Sequence, residues 1–204
     1  MTTRQEQKRK TRRALLDAAL RNLGPERGFA SLSLREVARE AGIAPTSFYR
    51  HFHDLDQLAL ALVDEAGAAL HEALGRARER ARVDGDVVRG SVEAFMEYQA
   101  QHAALFRLLL RERAGGSEAF RTAIRDAFRH FADELAEAFG RDNEMREIAP
   151  DDAGLVAEAM VTLVFDTGAE TLDLDAAARA AATERLIRQL RILRAGARAI
   201  VPSA

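Results

Sequence analysis

The chain has 204 residues, 48% hydrophobic and 30% charged, with four prolines and no cysteine. This composition supports a genuine core, excludes disulfides and thiolate metal sites, and fits a reducing cytoplasm. Net charge is −2, yet residues 1–53 carry 11 Lys/Arg against 5 Asp/Glu while the rest carry 19 against 27, so a basic head suited to a polyanion precedes an acidic body.

Ala, Leu, Arg and Glu abound and long alternating β-branched runs are missing, which predicts an all-α protein. The expected division is a three-helix helix-turn-helix domain over 1–53 and a larger helical domain over 54–204. No apolar run approaches the roughly 18–20 residues of a membrane span, and the basic N-terminus lacks the apolar core of a secretory signal. A cytoplasmic protein without a membrane partner is expected.

Leu15, Leu16, Ala19, Leu20 and Leu23 recur at helical spacing, predicting a first helix from about Gln5 to Leu23 that Gly24-Pro25 ends. Arg4, Lys8, Arg9, Lys10, Arg12 and Arg13 cluster at its start as a candidate phosphate-binding arm. A second helix begins at Ser33, where Ser33 and Glu36 have the S-x-x-E spacing of a capping box; Leu34, Val37, Ala38 and Ala41 form its buried face. Gly42 supplies a tight turn, and Ala44-Pro45 opens a third helix with proline in the first turn. Phe48 and Phe52 lie four apart and should face the core with Ile43 and Phe29. Thr46, Ser47, Tyr49 and Arg50 then project outward, with hydroxyl, phenol and guanidinium groups suited to phosphates and base edges.

Asp54 is placed to cap a long fourth helix through about Ala81, with Leu58, Leu62, Ala66, Leu70 and Leu74 as its stripe. Asp84-Gly85-Asp86 marks a break, and further helices read at about 86–100, 102–112, 118–139, 151–170 and 175–196, with an interruption at Gly115-Gly116-Ser117. Phe95, Met96, Phe106, Phe128, Phe131, Met160 and Phe165 supply large apolar side chains, which at helical spacing read as core. Arg121, Arg125 and Arg129 fall at i, i+4 and i+8, a row that either meets an anionic ligand head or makes surface ion pairs. In the last two helices Leu155, Val156, Ala159, Met160, Leu163 and Val164 form one apolar stripe, and Leu186, Ile187, Leu190 and Leu193 form another. The paired carboxylates Asp151-Asp152 and Asp173/Asp175 read as helix-start residues rather than acid–base groups.

His51 and His53 are two apart, no H-x-x-x-H or HExxH occurs, and His71, His102 and His130 stand isolated, so no metal site is expected. No nucleophile–base pair or phosphate-cradling glycine loop is present either. No catalytic residue is assigned, and neither an enzyme nor a cofactor is expected.

Ser33, Ala41-Gly42-Ile43 and Tyr49-Arg50-His51-Phe52 stand in the order of the DNA-binding domain of the TetR/AcrR repressors, which the segment from about Thr11 to Leu62 resembles. The resemblance implies that Ser33, Arg35, Thr46, Ser47, Tyr49 and His51 face DNA, with Arg9 and Arg50 beside them. Two departures stand out: Thr46 occupies a position where the family often has glycine, and Leu55 one where it usually has lysine. Together with the block from Phe95 to Phe120, the segment is similar to the FabR/DesT-type branch. The resemblance implies a homodimer through the last two helices, a palindromic double-stranded operator, repression of unsaturated-fatty-acid genes, and a long-chain acyl-CoA effector in an apolar cavity, for which Phe95, Met96, Phe106, Leu109, Arg111, Phe128, Phe131, Met160 and Phe165 are the candidate lining. A repressor of an efflux or catabolic operon, answering to another hydrophobic small molecule, is the alternative.

Overall fold

The computed structural model describes residues 3–23, 27–115, 117–142 and 145–199, the side chains of 81–84 excepted. Among the described residues there are nine α-helices and one short 3-10 turn, as the all-α expectation requires. They form two compact units: residues up to 67 with 103–125, and 68–102 with the residues from 126 onward.

In the first unit, α1 (Arg4–Asn22) begins at a capping box that the sequence reading did not single out. Thr3 Oγ1 accepts from the Glu6 N–H at 3.2 Å, and Glu6 Oε2 accepts from the Thr3 N–H at 2.6 Å. The box expected at Ser33 and Glu36 does not form: Ser33 is the N-cap of α2 (Leu34–Glu40) but makes no side-chain cap bond. Glu36 is engaged instead by Arg27 at 2.5 Å, where a full charge outcompetes a backbone N–H. The stop expected at Gly24-Pro25 lies outside the described residues.

Helix α2 ends in a Schellman motif at Gly42, whose φ is +71°. The Ile43 N–H donates to the Ala38 carbonyl and the Gly42 N–H to the Arg39 carbonyl, both at 3.0 Å. That reversal aims α3 (Pro45–Phe48), a single turn with proline at its start. Phe48 and Phe52 are fully buried with ring centroids 5.7 Å apart, among Leu15, Leu16, Val37 and Leu58. Arg12 lies 4.2 Å over the Phe52 ring and donates to the His51 carbonyl at 3.1 Å, tying α1 to the end of α3.

Asp54 caps α4 (Leu55–Asp84) by accepting the Gln57 N–H at 2.7 Å. From α6 (Ala103–Glu112) the buried Glu112 carboxylate accepts the Phe29 N–H at 2.9 Å. Phe29 in turn meets Phe120, from the start of α7 (Glu118–Gly140), edge to face at 5.2 Å.

The second unit holds the remainder of α4 and α7 with α5 (Val87–Gln101), α8 (Pro150–Thr171) and α9 (Ala176–Ala199). Gly85 (φ +81°) makes the expected break, and Asp86 caps α5. Helices α5 and α8 meet closely at Gly168, where a Cβ would fall 2.7 Å from Phe95 Cε1. Gln99 Nε2 donates to the Gly168 carbonyl, and the Thr171 hydroxyl donates to the same oxygen at 2.8 Å. Leu186, Ile187 and Leu190 of α9 are buried in this unit's own core. Arg89 grips Glu184 through two bonds of 2.5 and 2.8 Å, a fork-on-carboxylate pairing of α5 with α9.

Two consequences can be measured on the head. Gly42→Ala meets no neighbour within 4 Å, so its cost is the left-handed backbone alone; it should destabilise the protein by about 1–2 kcal/mol in denaturant unfolding. His51 has a buried Nδ1 with no hydrogen-bond partner among the described residues. Burial first, then the charges of Lys8, Arg12 and Arg50, hold its ring below the ordinary 6.5. The folded state therefore favours the neutral ring. Its contribution to stability is present above pH 6.5 and is lost as pH falls through the lower folded value. Thermal unfolding between about pH 7.5 and 5.5 should show a smaller loss in His51→Gln than in the unaltered protein.

Candidate nucleic-acid interface and ligand cavity

Burying Phe48 and Phe52 leaves one face of the α3 segment outward. Tyr49 is 63% exposed, Thr46 and Arg50 are exposed, and Ser47 and His51 are half-buried. Ser33 is half-buried at the start of α2 and Arg35 is exposed two residues along, near Arg39, Gly42, Ile43 and Pro45, which border a shallow depression with it. Arg9 is exposed on α1. The eight residues expected to face DNA thus lie on one compact unit, five of them exposed and Ser33, Ser47 and His51 half-buried.

Charge on α1 is distributed less simply than the sequence suggests. Arg12 is half-buried against Phe52, and Arg13 pairs with Asp17 at 3.1 Å and Glu65 at 2.7 Å. Lys8, Arg9 and Lys10 are exposed and best placed to meet phosphates. Ile43 is half-buried rather than a full core member.

The second unit encloses a cavity of about 320 Å³. Four candidate ligand residues line it: Phe95, Phe131, Met160 and Phe165. Phe165 gathers the aromatics, with centroids 5.1 Å from Phe95, 6.0 Å from Phe131 and 4.2 Å from Phe128. Phe128 and Met96 do not belong to the lining, and Phe106, Leu109 and Arg111 belong to the other compact unit. The arginine row is absent from the lining as well. Arg121 donates to the Gly115 carbonyl, Arg125 to Thr122 at 2.9 Å and Arg129 to Asp126 at 3.0 Å, so the ion-pairing and local-bonding reading of that row is the one realised.

The cavity's charges come instead from residues that no sequence motif marked: Arg78 on α4, Arg141 and Asp142 just past α7, and Arg194 on α9. Arg194 and Asp142 pair at 2.8 Å. Burial first holds the Arg78 guanidinium below its ordinary value; Glu134 opposes this and Arg141 adds to it. The histidines also escape a linear reading, since His71 and His130 both approach Glu134, at 2.9 and 3.1 Å. Among the described residues no group of three His, Asp or Glu side chains could hold a metal ion, and no helix is long and apolar enough to cross a membrane.

This architecture, a helix-turn-helix unit followed by a cavity-bearing helical unit, matches known proteins. Residues 15–62 match the model of bacterial regulatory proteins of the tetR family, and residues 85–193 match that of the tetracyclin repressor-like C-terminal domain. Among solved structures, a TetR-family regulator from a Rhodococcus species superposes with TM-score 0.71 at 21% identity, covering 91% of this chain and 99% of its own. A TetR-family regulator from Pectobacterium atrosepticum gives 0.63 at 24%, covering 96% and 97%. The reduced form of NemR from E. coli gives 0.62 at 21%, covering 90% and 96%. With two family models matched in chain order, one of them over more than half the sequence, the chain belongs to the TetR family of DNA-binding transcriptional regulators.

Proposed function

We propose that this protein is a cytoplasmic, homodimeric repressor that binds a palindromic operator and is controlled by a hydrophobic effector in the cavity of its second unit. The observation that carries the reading is the pairing of a helix-turn-helix, whose buried Phe48 and Phe52 turn Thr46, Tyr49 and Arg50 outward, with a separate apolar cavity. In the bound complex α3 enters the major groove, Arg35 and Ser33 hold register on phosphates, and Lys8, Arg9 and Lys10 add nonspecific attraction. Palindromic DNA calls for two copies of the head about 34–36 Å apart. A face for that pairing is left by α8 and α9, where Leu155 and Ile192 are 64% and 61% exposed beside the exposed Ala159 and Ala195.

Two effectors fit this scheme. A long-chain acyl-CoA, with unsaturated-fatty-acid genes as targets, is what the sequence likeness implies, and the apolar lining around Phe95 and Phe165 accords with its tail. A smaller hydrophobic molecule controlling an efflux or catabolic operon accords better with a volume of about 320 Å³, near the lower end of the roughly 300–1,000 Å³ of small-molecule sites. The arginine row that would have favoured a coenzyme A head does not line the cavity. The geometry therefore favours the smaller molecule.

Selection of binding sequences from a random duplex pool, followed by anisotropy at fixed salt, tests the DNA reading. A palindrome should emerge, and a pool without enrichment would refute it. Arg35→Ala and Tyr49→Ala should each weaken operator binding by about tenfold or more while leaving the molar mass in solution unchanged. Leu155→Asp combined with Ile192→Asp should reduce the light-scattering mass to that of a monomer and lower operator affinity, with helicity by circular dichroism unchanged.

A further inference from the structure

The cavity of the second unit is lined by an aromatic cluster, in which Phe165 lies 5.1 Å from Phe95 and 6.0 Å from Phe131, and by the guanidinium groups of Arg78, Arg141 and Arg194. Leu70 and Arg78, both lining residues of α4, stand eight residues and so about 12 Å apart along the helix. The three guanidinium groups stand against one carboxylate in the lining, Asp142, and that carboxylate is taken by Arg194 at 2.8 Å.

Of the three, Arg194 is paired and Arg141 is exposed, so Arg78 alone is both withdrawn from water and without a described partner. It is half-buried and forms no hydrogen bond or ion pair with any described residue. The nearest acid that acts on it is Glu134, whose carboxylate is already engaged by His71 and His130. Arg141 is exposed at the rim and adds positive potential rather than relieving it. A guanidinium withdrawn from water without a partner is costly, and it is compensated when an anion completes the site. Its planar fork fits a carboxylate through two parallel bonds.

Resting on the small-effector reading above, we propose that the ligand of this cavity is a compact hydrophobic carboxylic acid, its carboxylate held by Arg78 and its apolar body against Phe95, Phe131 and Phe165. A coenzyme A thioester has no charge at its acyl carbonyl, so Arg78 would face an uncharged group and stay uncompensated. A carboxylate supplies a negative charge to a half-buried guanidinium that no described residue pairs. The extended chain of decanoate is about as long as the rise from Leu70 to Arg78 along α4.

The test is calorimetric titration of the full chain, without DNA, with decanoate, decanol, decanoyl-CoA and palmitoyl-CoA. Decanoate should bind the unaltered protein about 10–100-fold more tightly than decanol, the range expected of a charge-assisted hydrogen-bonded pair. Arg78→Met should bring the two to equal affinity. Equal affinity for acid and alcohol in the unaltered protein overturns the assignment, and that comparison does not depend on the variant folding. Tighter binding of either thioester than of decanoate overturns it too, as does an acid preference that survives in Arg78→Met. Operator anisotropy with decanoate is scored separately: binding of the acid with no change in operator affinity upholds the cavity assignment and removes the effector role.

Discussion

The structure of the head depends on the burial of Phe48 and Phe52. Helix α3 has four residues, far below the roughly 12–15 that make an isolated helix even marginal in water. Its orientation is therefore imposed from outside: by two phenyl rings sunk into the core, by the reversal at Gly42 before it, and by Arg12 closing over Phe52 behind it. Thr46, Ser47, Tyr49 and Arg50 are aimed because their neighbours in sequence are fixed. Groove recognition demands alignment within the tolerance of a hydrogen bond, so core packing and base reading are one constraint seen from two sides. It also explains why Arg12 is not simply part of a phosphate-binding arm.

The second unit meets a different constraint. Helices α5 and α8 approach so closely at Gly168 that Phe95 occupies the space a side chain there would need. Gln99 and Thr171 then satisfy the Gly168 carbonyl from within the core. This seam is polar, and its buried carbonyl is hydrogen-bonded twice. The cavity next to it is largely apolar and includes a half-buried guanidinium, Arg78, that no described residue pairs. A chain selected only for stability would pair Arg78 with Asp142 or Glu134; here Asp142 serves Arg194, and Glu134 serves His71 and His130. Partners exist nearby and are spent elsewhere, which leaves the guanidinium for a ligand.

What the sequence revealed and what it hid divide by distance along the chain. The helix-turn-helix was legible because its determinants are local: Phe48 and Phe52 four apart, Gly42 at a helix end, Pro45 at a helix start. The helix order of the body was legible for the same reason. Capping at Ser33 was misread because spacing cannot show that Arg27 reaches Glu36 first. Periodicity placed Arg121, Arg125 and Arg129 on one face but could not show what that face meets, and the cavity is elsewhere. The cavity lining draws Arg78, Arg141 and Arg194 from three distant parts of the chain, and His71 and His130 meet at Glu134 in the same way. Such convergence exists only in the fold.

The proposed control of DNA binding by a ligand would run through α4, the helix that both units share. Leu70, Leu74 and Arg78 of this helix line the cavity, while Leu58 and Leu62 of the same helix are buried in the unit that carries α3. A helix transmits a tilt along its length because its hydrogen bonds leave it few soft degrees of freedom. A ligand changes operator affinity only to the extent that it binds two tilts unequally; a coupling of about 1–3 kcal/mol corresponds to roughly 5–150-fold. Apolar contact alone is a poor discriminator, because a hydrophobic wall accepts small displacements at little cost. A directed charge-assisted bond to Arg78 weakens steeply with distance and angle, so it distinguishes positions of α4 that the phenyl rings would tolerate alike. Arg78, which no described residue pairs, thus sits on the same helix as Leu58 and Leu62 of the first unit.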